Sequence, residues 1–406
     1  MGKDGIARVA KGILLAMATG TLAWCSGADA ISLIARNRNP DLALRADPKE
    51  PVALSIVADR YLSKLSPSAS DIAQAEKFAL RSLRYQALNA RALRVVGFTK
   101  EASGDKAAAR RLIVESNRQS RRNLGAQLWL IEDAIANNDV RSALQQYHVA
   151  LTTSPSSKDI LFPILLNAIS DTQIVDGLVP YVRADEPWVA QFMRFALAKD
   201  SQYSRLAPLI IRAGGLPKSS LNDAAVTAVM TGLSLSGDVK KAAAVFATIN
   251  GRPENLLRSA AISKESTDAQ YRGIGWTLLE KGAYGAATDG KGDSIVLVAY
   301  AGRSNSGIVA RKPLLLPPGS YVLKVEYGEI IASPTSSSRW TISCAGSKAD
   351  GQLGAKGSPI KAGSVILNFT VPSGCETQFI DFSIVGGDAI EGAEYIVNSV
   401  EIQPAG

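Results

Sequence analysis

"SGDKAAARRL" (residues 103–112) is followed thirty-four residues later by "NNDVRSALQQ" (residues 137–146). Registered on their aspartates, the two stretches belong to a longer recurrence. Asp71, Asp105 and Asp139 stand 34 apart, Ala75, Ala109 and Ala143 follow four residues on, and Ala58, Ala92 and Ala126 precede by thirteen. A period of this length with a small residue held at one position predicts helical hairpins stacked side by side. Each aspartate is expected to cap the second helix of its hairpin, accepting from free backbone N–H groups of the first turn. Each alanine marks a place where two helices approach too closely for a larger side chain.

The pattern resembles the tetratricopeptide-repeat family. Leu130, Ala143, Tyr147, Ala150 and Pro155 occupy its marker positions in one unit, Val96, Gly97, Ala109 and Ile113 in the one before, and Leu62 and Ala75 in the first. A further unit follows at "TGLSLSGDVKKAAAVFATI", with Asp238, Ala242 and Phe246 in register, and two hairpins without marker residues lie between. The resemblance covers about residues 50–255 and implies an α-solenoid that binds a protein partner along the concave face of its first helices. Trp188, Phe192 and Phe195, at i, i+4 and i+7, are expected to form a core stripe. His148, the single histidine, follows the packing residue Tyr147 and is expected at the surface.

Residues 77–122 hold twelve Lys or Arg against Glu101, Asp105 and Glu115, a local +9 in a chain whose formal net charge is +8. Two readings stand: a solvated helix face, or an anion-binding surface for lipid headgroups or an acidic polymer, with Arg81, Arg84, Arg91, Arg94, Arg110, Arg111, Arg118, Arg121 and Arg122 as candidates. No nucleic-acid-binding motif occurs, so nucleic acid is not an expected partner.

Residues 1–36 read as a signal peptide or an N-terminal membrane anchor. Lys3, Arg8 and Lys11 precede seventeen uncharged residues (12–28), then Ala28-Asp29-Ala30 offers a cleavage site. Either reading gives a periplasmic protein, anchored to the inner membrane by residues 12–28 or released by cleavage near Ala30. Cys344 and Cys375 then form an even pair in an oxidising compartment, where a disulfide would contribute about 3–4 kcal/mol. A zinc site is poorly supported, because the chain has one histidine and few cysteines.

Near residue 265 helical periodicity gives way to short apolar runs separated by Gly, Pro, Ser and Asp. "SYVLKVEYG" alternates, with Tyr321, Leu323, Val325 and Tyr327 on one face. Eight or so such runs predict an antiparallel β-sandwich of jelly-roll type, giving a multidomain chain: an α-solenoid over 37–264 and the sandwich over 265–406. The order of runs, with an early Trp-bearing strand, "LPPGSY", "RWTIS" and a closing "VEI", resembles the galactose-binding-like, carbohydrate-binding-module sandwiches. That resemblance implies a glycan held on an exposed aromatic, with Trp276, Tyr284 and Arg311 as candidates. Trp340 reads as core, and Asp289 and Asp293 as a calcium pair or a turn.

No hydrolase, phosphate-loop or metalloprotease motif is present, and no cofactor is expected. The expected function is that of a non-enzymatic exported adaptor in envelope or exopolysaccharide assembly, with a protein on the solenoid and a polysaccharide on the sandwich. The alternative is a protein-binding periplasmic scaffold whose sandwich is a structural cap. A glycoside-cleaving enzyme, which needs two facing acids, stands third.

Overall fold

The computed structural model describes residues 3–199, 202–250, 253–291, 294–345, 351–357 and 363–405. The chain divides into two compact units, Met1–Leu161 and Phe162–Gly406.

The first unit holds α1 (Lys3–Ala35), α2 (Pro40–Ala46), α3 (Pro51–Leu62), α4 (Ala69–Tyr85), α5 (Ala90–Ala102), α6 (Lys106–Gln119), α7 (Leu124–Ala136), α8 (Val140–Thr153) and the start of α9 (Ser157–Ala168). Helix α1 continues unbroken through Ala28-Asp29-Ala30, with Leu22 and Trp24 exposed, and at its end Ala35 packs with Ala43 and Ala53. Among the described residues no helix is long and apolar enough to cross a membrane.

The quoted stretch folds as read. Asp105 caps α6 by accepting from Ala108 N at 3.0 Å, and Asp139 caps α8 by accepting from Ser142 N at 3.0 Å. The residue before each aspartate takes a left-handed conformation, Gly104 at φ 86° and Asn138 at φ 53°. This lets Asp105 N reach Lys100 O and Asp139 N reach Ala134 O, closing the preceding helix. Gly237 and Asp238 repeat the device in the second unit, with Asp238 N on Leu233 O.

The first hairpin departs from the period. Helix α4 starts one turn early, at the cap Ser68, so Asp71 sits at the third helical position, in a capping box with Ser68 rather than as the cap itself. Helix α3 is displaced further, because six residues join it to α4 where three join α5 to α6. Pro51 O, which accepts from Ser82 Oγ and Asn89 Nδ2, is the counterpart of Ala90 O, which accepts from Ser116 Oγ and Asn123 Nδ2. The true equivalent of Ala92 and Ala126 is therefore Ala53, five residues before Ala58. All four alanines are fully buried, as are Ala75 and Ala109.

The second unit begins with the rest of α9, then α10 (Thr172–Arg183), α11 (Pro187–Leu197), α12 (Tyr203–Ala213), α13 (Ser220–Leu235), α14 (Val239–Asn250), α15 (Pro253–Arg258), α16 (Lys264–Thr267) and a 3-10 turn at Ala269–Tyr271. Trp188 and Phe192 are buried, and Phe162 packs against Phe192 and Phe195 with ring centroids 5.6 Å apart in both pairs, the expected core stripe.

Ten strands among the described residues form the sandwich: β1 (Thr277–Leu278), β2 (Tyr284–Lys291), β3 (Ser294–Ala301), β4 (Ser306–Leu314), β5 (Gly319–Ile331), β6 (Ser337–Cys344), β7 (Gln352–Gly357), β8 (Ser364–Val371), β9 (Gln378–Val385) and β10 (Ala393–Pro404). They pair antiparallel in two five-stranded sheets, β1-β4-β9-β6-β7 and β2-β3-β10-β5-β8. The alternation read in "SYVLKVEYG" is borne out: Tyr321, Leu323, Val325 and Tyr327 of β5 all join the core between the sheets. At its centre Trp340 stacks on Phe382 at 4.3 Å and donates to Tyr327 Oη at 2.5 Å. Cys344 and Cys375 are joined as a disulfide, with Cα atoms 5.7 Å apart.

Candidate functional site

The sugar-binding residues expected on the sandwich are placed elsewhere by the fold. Trp276 is 1% exposed, meets Trp340 edge to face at 6.2 Å, and donates from Nε1 to Ala260 O at 3.1 Å. Both ring faces are enclosed, so it offers no platform for a pyranose; this candidate is corrected to a core residue. Arg311 is likewise withdrawn from solvent chemistry. It stands directly across β4–β9 from Asp381 and holds it in a two-pronged ion pair, Nε to Oδ1 at 2.6 Å and Nη2 to Oδ2 at 2.8 Å, with its guanidinium 5.0 Å from the Phe379 ring. The hydrogen bonds to Asp381 raise the Arg311 pKa further above its already high value. Tyr284 is half-buried, its ring lying against Gly307 so closely that a Cβ there would collide with it.

Among the described residues no aromatic side chain of the sandwich is exposed; Tyr284, Tyr300 and Tyr321 are the half-buried ones. Asp289 lies within β2 and accepts from Gly290 N at 2.7 Å, while Asp293 lies outside the described residues.

Next to Arg311, strand β4 carries a group the sequence reading did not single out. Lys312 is fully buried, and its ammonium donates to Leu256 O at 2.7 Å and Ile274 O at 2.6 Å. Burial pushes its pKa down to about 7. With Trp276 on Ala260 O and Leu315 N on Leu257 O at 2.8 Å, it ties the segment after α14 into the end of the sandwich. A lysine amid "VARKPLLL" was the available signal, but its acceptors lie 38 and 56 residues away.

The basic run resolves into two groups. Arg91 and Arg94 share Asp59 of α3 at 3.9 and 2.7 Å, Lys100 pairs with Glu76 at 2.7 Å, Arg110 with Asp133 at 3.4 Å and Arg118 with Glu115 at 3.8 Å. Arg81 donates to Pro48 O at 2.8 Å. Three of these acids, Asp59, Glu76 and Asp133, come from outside residues 77–122 or from a neighbouring helix, so packing neutralises part of the charge that counting along the chain leaves free. Arg84, Arg111, Arg121 and Arg122 are exposed and form no ion pair among the described residues.

Where the two groups meet, α3, α5 and α7 form a groove of about 530 Å³. Arg91, Arg94 and Arg122 line it, with Asp59 as the one acidic residue. Arg94 is held across the first turn of α7: a Cβ at Gly125 would strike its guanidinium. That turn is uncapped by a side chain, because the Asn123 amide is turned back to Ala90 O at 3.2 Å and Ser116 Oγ at 2.9 Å. Burial lowers the Arg91 pKa below its usual value, Asp59 opposes the shift, and Arg94 adds to it. A larger groove of about 1010 Å³ runs along α12 and α13, where Gly232 leaves room for the Tyr203 ring.

No family model matches the sequence, and no curated protein matches it. Among solved structures, a family 61 carbohydrate-binding module in complex with β-1,4-galactotriose is 10% identical over 32% of this chain and 88% of its own, at a TM-score of 0.24. The xylan-binding CBM22-1 domain of Paenibacillus barcinonensis Xyn10C is 13% identical over 36% of this chain and 93% of its own, at 0.25. A CBM4 structure is 11% identical over 38% of this chain and 99% of its own, also at 0.25. At these scores and identities the likenesses carry no argument about a ligand.

Proposed function

We propose that the protein is a non-enzymatic scaffold that engages a protein partner through its helical hairpins, with the β-sandwich acting as a cap on the last of them. The observation that carries this reading is the double role of Trp276 and Lys312. Trp276, expected to face a sugar, and its buried neighbour Lys312 instead fasten the sandwich core to Ala260, Leu256 and Ile274. A terminal hairpin of a repeat array has an apolar face that a following structure must cover. The disulfide supports export to an oxidising compartment, and we read residues 12–28 as the exporting or anchoring segment in the envelope. Against hydrolysis of a glycoside, Glu326 is paired with Lys324 and Asp381 with Arg311, on different sheets.

A second reading, glycan binding by the sandwich, is favoured by a groove of about 530 Å³ beside β1 and β2, lined by Arg272, Glu280 and Thr288, with Tyr300 Oη 3.5 Å from Glu280. The two readings are separated by placing a photo-crosslinking residue at Leu88 or at Ile366, both exposed, in cells. The scaffold reading expects a discrete protein adduct from Leu88. Affinity electrophoresis of the full chain through the cell's own surface polysaccharide tests the other: retardation lost in Tyr300→Ala would replace the cap by a glycan receptor.

A further inference from the structure

The disulfide stands where the sandwich meets the helices that precede it. Cys344 ends β6 directly opposite Gln378, the first residue of β9, and Cys375 lies three residues before that glutamine. Gln378 is fully buried and faces two ways. Its Nε2 donates to Cys375 O at 2.6 Å, and its Oε1 accepts from Leu316 N at 2.9 Å. One residue before Leu316, Leu315 N donates to Leu257 O of α15 at 2.8 Å. The cross-link, the amide and the backbone at Leu315 and Leu316 thus form one connected path from β6 to α15. Glu376, next to Cys375, reaches Lys240 of α14 at 2.8 Å. That ion pair is exposed and holds little by itself, but it shows that the cysteine turn lies against the last helical hairpin.

A buried amide with its donor on one segment and its acceptor on another holds the second only while the first is fixed. The disulfide fixes the first, because it joins Cys375 to the end of β6. We propose that this bond is a redox-set lock that fastens the sandwich to α15 and the last hairpin, with Gln378 as the positioning residue between them. This rests on the reading of the protein as an exported scaffold whose sandwich is a cap. In reducing surroundings, before export, the cap is held less tightly, and oxidation completes its union with the helices. Cys344 is half-buried and Cys375 is 3% exposed, so the Cys344 thiolate attacks first, on the disulfide of a protein oxidant. The Cys375 thiolate then attacks the mixed disulfide. One S–S bond forms in this chain and one breaks in the oxidant, which takes up two electrons and two protons and leaves as a dithiol.

The test follows backbone amide exchange by mass spectrometry in the full chain carrying Cys25→Ser, which removes the third cysteine and any wrong pairing with it. Two variants are compared with it: Cys344→Ala combined with Cys375→Ala, and Gln378→Met with the cross-link intact. In both, exchange over residues 254–262 and 312–317 is expected to accelerate at least about tenfold more than over the centres of β5 and β10. Reduction by dithiothreitol should open the same two segments, and oxidised glutathione should close them again.

Even acceleration throughout the sandwich in the cysteine variant would overturn the lock, leaving a cross-link that acts through chain entropy alone. A junction loosened by loss of the cysteines but unchanged in Gln378→Met would overturn the route through the glutamine. Full protection of both segments after thiol counting shows complete reduction would also sink the proposal. A protein adduct from Leu88 in a chain whose junction shows none of these changes leaves the scaffold reading standing while the lock falls. The expected exchange with no adduct would do the reverse.

Discussion

Arg311 in the sandwich and Arg94 in the helical array are each paired with an aspartate and each rest on a phenylalanine ring, yet they are bound to different degrees. Arg311 has Asp381 to itself, two parallel hydrogen bonds, and a partner fixed directly opposite it by strand register. Arg94 has one hydrogen bond to a carboxylate it shares with Arg91, and its Nε is left without an acceptor. A closed pair of the first kind serves structure. A pair of the second kind, one carboxylate divided between two guanidinium groups, holds each of them less completely. Sequence reading assigned both to binding; their hydrogen bonds set them apart.

The contrast can be strained at several points, beginning with the largest effect. Trp276→Ala removes a buried indole from the sandwich core and is expected to cost about 3–5 kcal/mol, measured by urea unfolding. If stability barely changes while glycan retardation is lost, the sandwich is the binding element after all. Next comes Lys312, whose folded pKa of about 7 lies below its ordinary 10.5. Between those values the unfolded chain binds the proton and the folded one does not, so stability rises with pH in that window, by at most about 1.4 kcal/mol per pH unit. Two carbonyl acceptors favour the ammonium form and reduce the slope. Unfolding at pH 7.5 and 9.5 should differ by roughly 2 kcal/mol in the native chain and by much less in Lys312→Met; identical slopes would mean that the lysine is charged in its site throughout.

Asp381→Asn should cost about 2 kcal/mol, since it leaves a half-buried guanidinium without its carboxylate. Asp59→Asn should cost less, about 1 kcal/mol, because the Asp59 carboxylate is 27% exposed against 12% for Asp381 and makes one hydrogen bond to arginine rather than two. The two substitutions are chemically identical, so an equal loss of stability in urea unfolding would show that the shared carboxylate holds the helical array as firmly as Asp381 holds the sandwich.

Much of the fold was legible because its determinants are local. "SGDK" and "NNDV" each place a residue able to turn left-handed before a capping aspartate, and that pair of instructions ends one helix and starts the next wherever it occurs. The alternation in β5 was equally local. The displaced first hairpin was not, because α3 carries alanines at both Ala53 and Ala58, and the one that stands 34 residues before Ala92 is Ala58, not the structural equivalent. The candidate residues fared differently. Arg311 and Asp381 are 70 positions apart, Lys312 and Leu256 are 56, and Arg94 and Asp59 are 35. Strand order and helix stacking decide those meetings, and no pattern along the chain announces them. Cysteines 344 and 375 were readable at long range only because few others exist.

The hydrogen bonds from Trp276 to Ala260 O and from Lys312 to Leu256 O cross the place where the chain changes from helix to strand. A gene spliced at that change of texture, near residue 265, would divide donors from acceptors: the upstream fragment would keep the carbonyls of Leu256 and Ala260, and the downstream fragment an indole without its acceptor and a lysine left with Ile274 O alone. The helix-to-strand junction is thus no seam: a sandwich cut free there would carry a buried indole N–H without its acceptor, and the helices from α15 onward belong to the same folding unit as the strands.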